Sequence, residues 1–136
     1  MLHASSESVT FLGYGSFNNC STLVSVDIPN ATSIGPYAFN NCIALEEFNF
    51  PLVTSINTYA FNRCVSLTSV TFSPYLVTLT GDAFRDCSSL TELTFTGETA
   101  PPGINVSAFS NVPNVSSRNI NIPCVDPYYL PFESRS

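Results

Sequence analysis

The sequence predicts a right-handed repeat solenoid of about five coils, with parallel β-strands on one face and short helical or 3₁₀ turns opposite. Three observations predict it. Phe17, Phe39, Phe61, Phe84 and Phe109 recur about 22 to 25 residues apart, within the period range of repeat proteins. Each phenylalanine trails the same companions: Cys20, Cys42, Cys64, Cys87 and then Val112 three places on, and Leu23, Leu45, Leu67, Leu90 and then Val115 six places on. An alternating apolar pair then follows in every unit: Val26 and Ile28, Phe48 and Phe50, Val70 and Phe72, Leu93 and Phe95.

Each element of a coil has its own signal. The alternating pair has the two-residue period of a short strand with one buried face. Val26, Phe48, Val70 and Leu93 then point inward, and Asp27, Asn49, Thr71 and Thr94 point out. Pro29, Pro51 and Pro123 close the pair, with Pro74 one place late, and a proline removes a ladder donor there. Ile120 and Ile122 take the strand role in the final unit after an insertion of about two residues. The Ala-Phe-x-x-Cys-x-x-Leu run spaces its apolar residues by three, which predicts one helical or 3₁₀ turn resting on the core. A second extended piece lies five places before each phenylalanine, at Leu12, Ile34, Ile56, Leu79 and Ile104. Identical columns stack at about 4.8 Å per rung, so each coil buries its apolar side only against neighbours.

These columns resemble the BspA-like leucine-rich-repeat family. The likeness is plainest in Val53-Thr54-Ser55-Ile56, Ala60-Phe61-Asn62-Arg63-Cys64-Val65-Ser66-Leu67 and Val70-Thr71-Phe72, and in Ala31-Thr32-Ser33-Ile34-Gly35 with Ala38-Phe39-Asn40-Asn41-Cys42. Departures are modest: Ser16 replaces alanine, Val112 replaces cysteine, and Asn57 and Thr80 stand where Gly13 and Gly35 sit. The resemblance covers residues 9–123 and implies a leucine-rich-repeat solenoid there. Residues 1–8 are expected to be a disordered leader or remnant, and 124–136 a C-terminal cap or tail. Family members of this kind are often surface proteins of oral bacteria and parasitic protists, which implies adhesion or host-protein binding at the cell surface or outside the cell.

Composition excludes several function classes. The 136 residues carry a net charge of −6 and only 10% charged residues. All the basic residues are arginines, Arg63, Arg85, Arg118 and Arg135, so there is no basic field for nucleic acid or anionic lipid. No apolar run reaches bilayer length, so no membrane insertion is expected, and no signal peptide is visible at the start. The one histidine is His3, no phosphate loop is present, Gly13-Tyr14-Gly15 is a repeat corner, and the carboxylates, Glu46-Glu47 and Asp82 among them, are scattered. Acid–base chemistry needs convergent groups in a pocket, so neither an enzyme nor a cofactor is expected.

The cysteines are read as buried, reduced thiols serving as small hydrophobes. A ladder is a line, whereas zinc requires four ligands converging on one point. Disulfides between rungs meet the distance requirement but not the direction, because the side chains point the same way. Cys124, outside the ladder, is expected to be the exposed thiol. Asn19, Asn30, Asn105 and Asn114 head Asn-x-Ser/Thr triplets, at about the frequency this composition produces by chance.

Two candidate surfaces remain. Ser25, Glu47, Ser69 and Glu92 form one outward column, and Asp27, Asn49, Thr71 and Thr94 form another. Together they present a polar, mildly acidic sheet face for a protein partner, or a merely solvated one. Tyr37 and Tyr59 stack one coil apart with Tyr14 nearby, either as aromatic anchors or as a corner brace. The partner is then a host or matrix protein, or further repeats of the same chain. The first coil has no recognisable cap, so Val9, Leu12 and Phe17 are expected to face solvent. Such an end calls for upstream repeats, or for another molecule by end-to-end self-association, which makes a self-associating structural repeat or stalk the alternative function.

Overall fold

The computed structural model describes residues 2–97, 102–113 and 120–121. One set of strands stacks on one side of the coils as β1 (Leu2–Ser5), β3 (Leu23–Asp27), β5 (Glu47–Asn49), β7 (Ser69–Phe72), β9 (Glu92–Phe95) and β11 (Ile120–Asn121). The second extended pieces form β2 (Phe11–Leu12), β4 (Ser33–Ile34), β6 (Ser55–Ile56), β8 (Thr78–Leu79) and β10 (Gly103–Ile104). Every pairing is parallel, and partners sit one repeat apart, as in Val26 opposite Phe48 and Ile34 opposite Ile56. The chain is therefore a leucine-rich-repeat solenoid.

The core is the set of columns visible in the sequence. Phe39, Phe61 and Phe84 are fully buried, with Cys42, Cys64, Cys87, Leu45, Leu67 and Leu90 beside them. The phenylalanine rings stack in series, 5.1 Å from Phe17 to Phe39, 5.1 Å to Phe61, 4.9 Å to Phe84 and 5.5 Å to Phe109. That spacing follows the rung spacing of the sheets, so covalent repeat length and ring packing agree.

The expected 3₁₀ turn is a regular 3₁₀ helix in one coil, Val106–Phe109, capped by Asn105, whose side chain accepts from the Ser107 amide. Elsewhere linked tight turns replace it. In the second coil the amides of Ala38, Asn40 and Cys42 donate three residues back, to Gly35, Tyr37 and Phe39. The alternate amides of Tyr37, Phe39 and Asn41 donate instead to Thr58, Ala60 and Asn62 of the next coil. A helix satisfies its interior amides within itself, whereas here every second amide is spent on the neighbouring coil. Left-handed φ angles make the alternation possible, at Tyr37, Asn41, Tyr59, Arg63, Asp82 and Asp86 among others. After glycine, asparagine and aspartate tolerate that region best, and a φ > 0 residue two places into a turn is the type II geometry.

The N-terminus departs from expectation. Residues 2–5 are not a disordered leader: they form β1, paired with β3 from Leu2 opposite Leu23 to Ser5 opposite Asp27. The open edge of β3 is a row of unpaired main-chain groups that selects any extended segment able to reach it. The following residues are tied as well, with Ser6 Oγ accepting from the Val9 amide and Asn30 Nδ2 donating to the Glu7 carbonyl. Consequently Leu12 is 4% exposed rather than solvent-facing, and Val9 and Phe17 are half-buried. The large apolar groups left open at this end are Leu2, Phe11 and Tyr14, 50%, 62% and 74% exposed. Cys124 and the 124–136 cap lie outside the described residues.

Candidate binding face

The two outward columns assemble through strand pairing. Ser25 lies opposite Glu47 and Asp27 opposite Asn49 in one sheet, while Ser69 lies opposite Glu92 and Thr71 opposite Thr94 in another. Asp27, Glu47, Asn49, Ser69, Thr71 and Glu92 are exposed, and Ser25 and Thr94 are half-buried. Ser25 is covered because β1 lies over it, with His3 Nδ1 hydrogen-bonded to Ser25 Oγ. Asn49 Nδ2 donates to Asp27 Oδ1 at 2.9 Å, so these two are already engaged with each other.

The face is not one continuous sheet, as the column pattern had suggested. The second-piece strands run unbroken in the order β10-β8-β6-β4-β2, but the side that carries the outward columns divides into β1-β3-β5 and β7-β9-β11. Among the described residues no ladder bond joins β5 to β7. A cleft of about 470 Å³ opens there, with Glu46, Glu47 and Phe48 on one wall and residues 68–71 on the other. Phe48 lies at the break. Its column otherwise holds Val26, Val70 and Leu93, all buried, whereas Phe48 is only half-buried and lays its ring over Phe61 of the next coil at 4.7 Å. Sequence reasoning placed Phe48 in the inward column and did not anticipate the division of the face; the one bulky side chain among smaller ones is the departure visible there.

The tyrosines do form a stack. Tyr14 and Tyr37 lie 5.4 Å apart and tilted, and Tyr37 and Tyr59 lie 5.0 Å apart and nearly parallel. The row ends where Asp82 takes the equivalent place in the next coil. Tyr37 and Tyr59 are half-buried and hold φ of 59° and 57°, so their backbone is committed to the turn ladder. Asparagine ladders run alongside. Asn40 Nδ2 donates to Asn18 at 3.0 Å and Asn62 Nδ2 to Asn40 at 2.8 Å, leaving the buried Asn62 Oδ1 unpartnered because Arg85 follows it.

The cysteine ladder is inert by construction. The thiols of Cys42, Cys64 and Cys87 donate to the carbonyls of Phe17, Phe39 and Phe61 at 3.1–3.2 Å. Burial pushes the Cys42 thiol up from 9.0 to about 11 and the Cys87 thiol to about 12, and raises Cys64 well above its usual value. Thiolates, the reactive form, are thereby suppressed. All four ladder cysteines are free, Cys20 being the half-buried one.

Residues 6–128 match the family model for the BspA type leucine-rich repeat region, in six copies. The chain belongs to the BspA-type leucine-rich-repeat family. Solved structures agree with this. A leucine-rich cell surface protein from Faecalibacterium prausnitzii is 29% identical, with a TM-score of 0.76 over 88% of this chain and 31% of its own. The leucine-rich-repeat protein of T. pallidum is 27% identical, with a TM-score of 0.71 over 79% of this chain and 50% of its own. A leucine-rich-repeat protein from Bacteroides ovatus is 25% identical, with a TM-score of 0.71 over 92% of this chain and 35% of its own. The chain thus spans between about a third and a half of the length of these relatives. No curated protein matches the sequence. Among the described residues no helix is long and apolar enough to cross a membrane.

Proposed function

We propose that this BspA-type chain is a non-enzymatic protein-binding or adhesion module, part of a cell-surface or secreted repeat protein. Its binding surface is the polar, mildly acidic face of Ser25, Asp27, Glu47, Asn49, Ser69, Thr71, Glu92 and Thr94. The observation that carries this reading is the pairing of these outward columns on a stacked-strand face with three exposed carboxylates and no arginine among the face positions. Such a face selects complementary charge and steers encounter with a basic surface. Tyr37 and Tyr59, with the more exposed Tyr14, supply a second contact row along the turn edge. The F. prausnitzii relative is a leucine-rich cell surface protein, which supports the location.

The test is saturable binding of the immobilised chain to purified host and extracellular-matrix proteins, compared with an Asp27→Lys/Glu92→Lys variant. Loss of binding in the variant, with the fold retained, is expected. Equal binding by both forms would remove the face from the proposal.

A second reading, a self-associating structural or stalk unit, is favoured by one observation: Phe11 and Tyr14 stand exposed together at the first coil. Phe11→Glu is the variant that tests it, since Leu12 is buried and its replacement would unfold the coil. Light scattering that shows concentration-dependent growth in the wild type, abolished in Phe11→Glu, is the outcome this reading requires. Wild-type chains that stay monomeric at high concentration refute it.

A further inference from the structure

We propose that the chain pairs side by side with a second copy of itself through the uncharged corner that leads into its second strands, leaving the acidic columns of both copies free. The contact is distinct from the binding face and from the end of the first coil; only its consequence for binding rests on the reading above.

Charge is distributed unevenly around the coil. Residues 28–36, 50–58 and 73–81 make the corner and second strand of three successive coils, and they contain no charged side chain. Asp27, Glu47 and Glu92 lie instead on the outward columns, and Arg63, Arg85 and Asp86 in the turns. A chain of net charge −6 repels its own copies wherever its carboxylates face each other. At the corner two copies meet without that opposition.

The surface of the same corner is apolar. Asn30, Leu52 and Tyr75 hold one position in successive coils, since each is followed by a buried residue whose amide donates three places back: Ala31 to Ile28, Val53 to Phe50 and Leu76 to Ser73. Val77 holds the position of Thr32 and Thr54, and its amide donates to the Thr54 carbonyl at 2.8 Å. Leu52 is 38% exposed, Val77 51% and Tyr75 58%. Apolar groups at matching places on adjacent coils make a patch, whereas single exposed ones call for no explanation.

The threonines beside them extend that patch. Thr54 Oγ1 donates to the Thr32 carbonyl at 3.0 Å, and Thr32 Oγ1 to the Thr10 carbonyl at 3.2 Å. Both hydroxyl donors are spent on the preceding coil, so covering these residues leaves none unsatisfied. Ser55 and Ser33 bond each other in the same way at 3.1 Å. A stable interface buries about 800 Å² per partner. Three side chains fall short of that, so the contact takes in Thr32 and Thr54 as well. The strands behind them, β4, β6 and β8, belong to the unbroken sheet and hold the patch in place. Two-fold pairing sets one patch against its own copy, and an uncharged apolar patch is complementary to itself. The pair then carries two acidic faces, which bind a partner with two basic sites bivalently.

The experiment follows the whole chain by sedimentation velocity and light scattering over a concentration series, at low and high salt. A closed dimer is expected, tighter at high salt because screening relieves repulsion between the acidic copies. Leu52→Asn/Tyr75→Asn/Val77→Thr installs residues that the repeat already carries at these places, in Asn30 and Thr54, so the fold is retained. That variant is expected to weaken the dimer at least about tenfold. Phe11→Glu and Asp27→Lys/Glu92→Lys are expected not to weaken it. Wild-type chains that stay monomeric at high concentration overturn the pairing, as does a dimer that survives the triple variant. Association lost in Phe11→Glu alone overturns it in favour of the end of the first coil, and loss in Asp27→Lys/Glu92→Lys alone in favour of the sheet face. A dimer that forms but binds no matrix protein supports the pairing and counts only against the binding-module reading.

Discussion

Truncating the central phenylalanine tests the stacking logic most directly. Phe61 is fully buried and has rings on three sides: Phe39 at 5.1 Å, Phe84 at 4.9 Å and Phe48 at 4.7 Å. Phe61→Ala removes its transfer free energy and leaves a cavity that a tightly stacked column collapses into poorly, for a loss of about 3–5 kcal/mol. Contacts with ring neighbours are part of that figure, since aromatic pairs add about 0.5–1.5 kcal/mol each beyond area alone. Phe17 is the internal control. It has the same side chain and the same column, but it is half-buried and stacks on Phe39 alone. Phe17→Ala should cost about half as much, because burial in a solenoid is supplied by the neighbouring coil. Thr71→Ala, on the open face, should stay within about ±0.5 kcal/mol. Urea melts followed by circular dichroism give all three values. At roughly 3–5 °C per kcal/mol for a chain of this size, Phe61→Ala should also lower the melting temperature by about 10–20 °C. Equal losses for Phe61 and Phe17 would refute neighbour-supplied burial, and equal losses for Phe61 and Thr71 would refute the inward–outward assignment.

Four further outcomes follow from the cysteine ladder and the turns. The thiols of Cys42, Cys64 and Cys87 have folded values raised above the ordinary 9.0. Above that pH the unfolded chain loses protons that the folded chain keeps, so their contribution is complete below pH 9 and is lost as pH rises toward about 11 to 12. Melting temperatures should fall along that limb, and replacing the three by alanine should flatten it; an unchanged slope would sink the idea. In thiol titration of the folded chain at neutral pH, Cys20 should react before Cys42, Cys64 or Cys87, and rapid labelling of Cys64 would contradict its placement. Arg63 holds a φ of 62° and is exposed. Arg63→Asn should stabilise by a few tenths to about 1 kcal/mol, since asparagine tolerates the left-handed region and places an amide beside Asn41; destabilisation would mean that the arginine side chain has a structural role. Arg85→Ala should change stability by no more than about 0.5 kcal/mol, because its contacts with Asp82 and Asp86 are 3.6 Å long and solvent-screened.

Much of the fold could be read from the residues because a repeat states its own register. Once Phe39 aligns with Phe61, the opposition of Ser25 to Glu47 and of Thr71 to Thr94 follows from counting, and so does the burial of Val26, Val70 and Leu93. Periodicity also implied that the Cys42–Cys64–Cys87 row lies in the core, and that its chemistry is therefore suppressed.

What the sequence by itself determined is thus the identity of each column and the side of the coil on which it lies, since both depend on spacing along one chain. Tertiary structure decided everything that depends on how one coil meets the next. Residues 2–5 have no repeat signature, yet they form β1 because the edge of β3 offers them hydrogen bonds. The Ala-Phe-x-x-Cys run has a helical spacing, yet it folds as linked turns because alternate amides find acceptors in the neighbouring coil. Phe48 belongs to an inward column like any other, yet its ring is half-buried over Phe61, and the face divides between β5 and β7 at that coil. Each of these is settled by competition between contacts within a coil and contacts across coils, and a linear pattern records only the first.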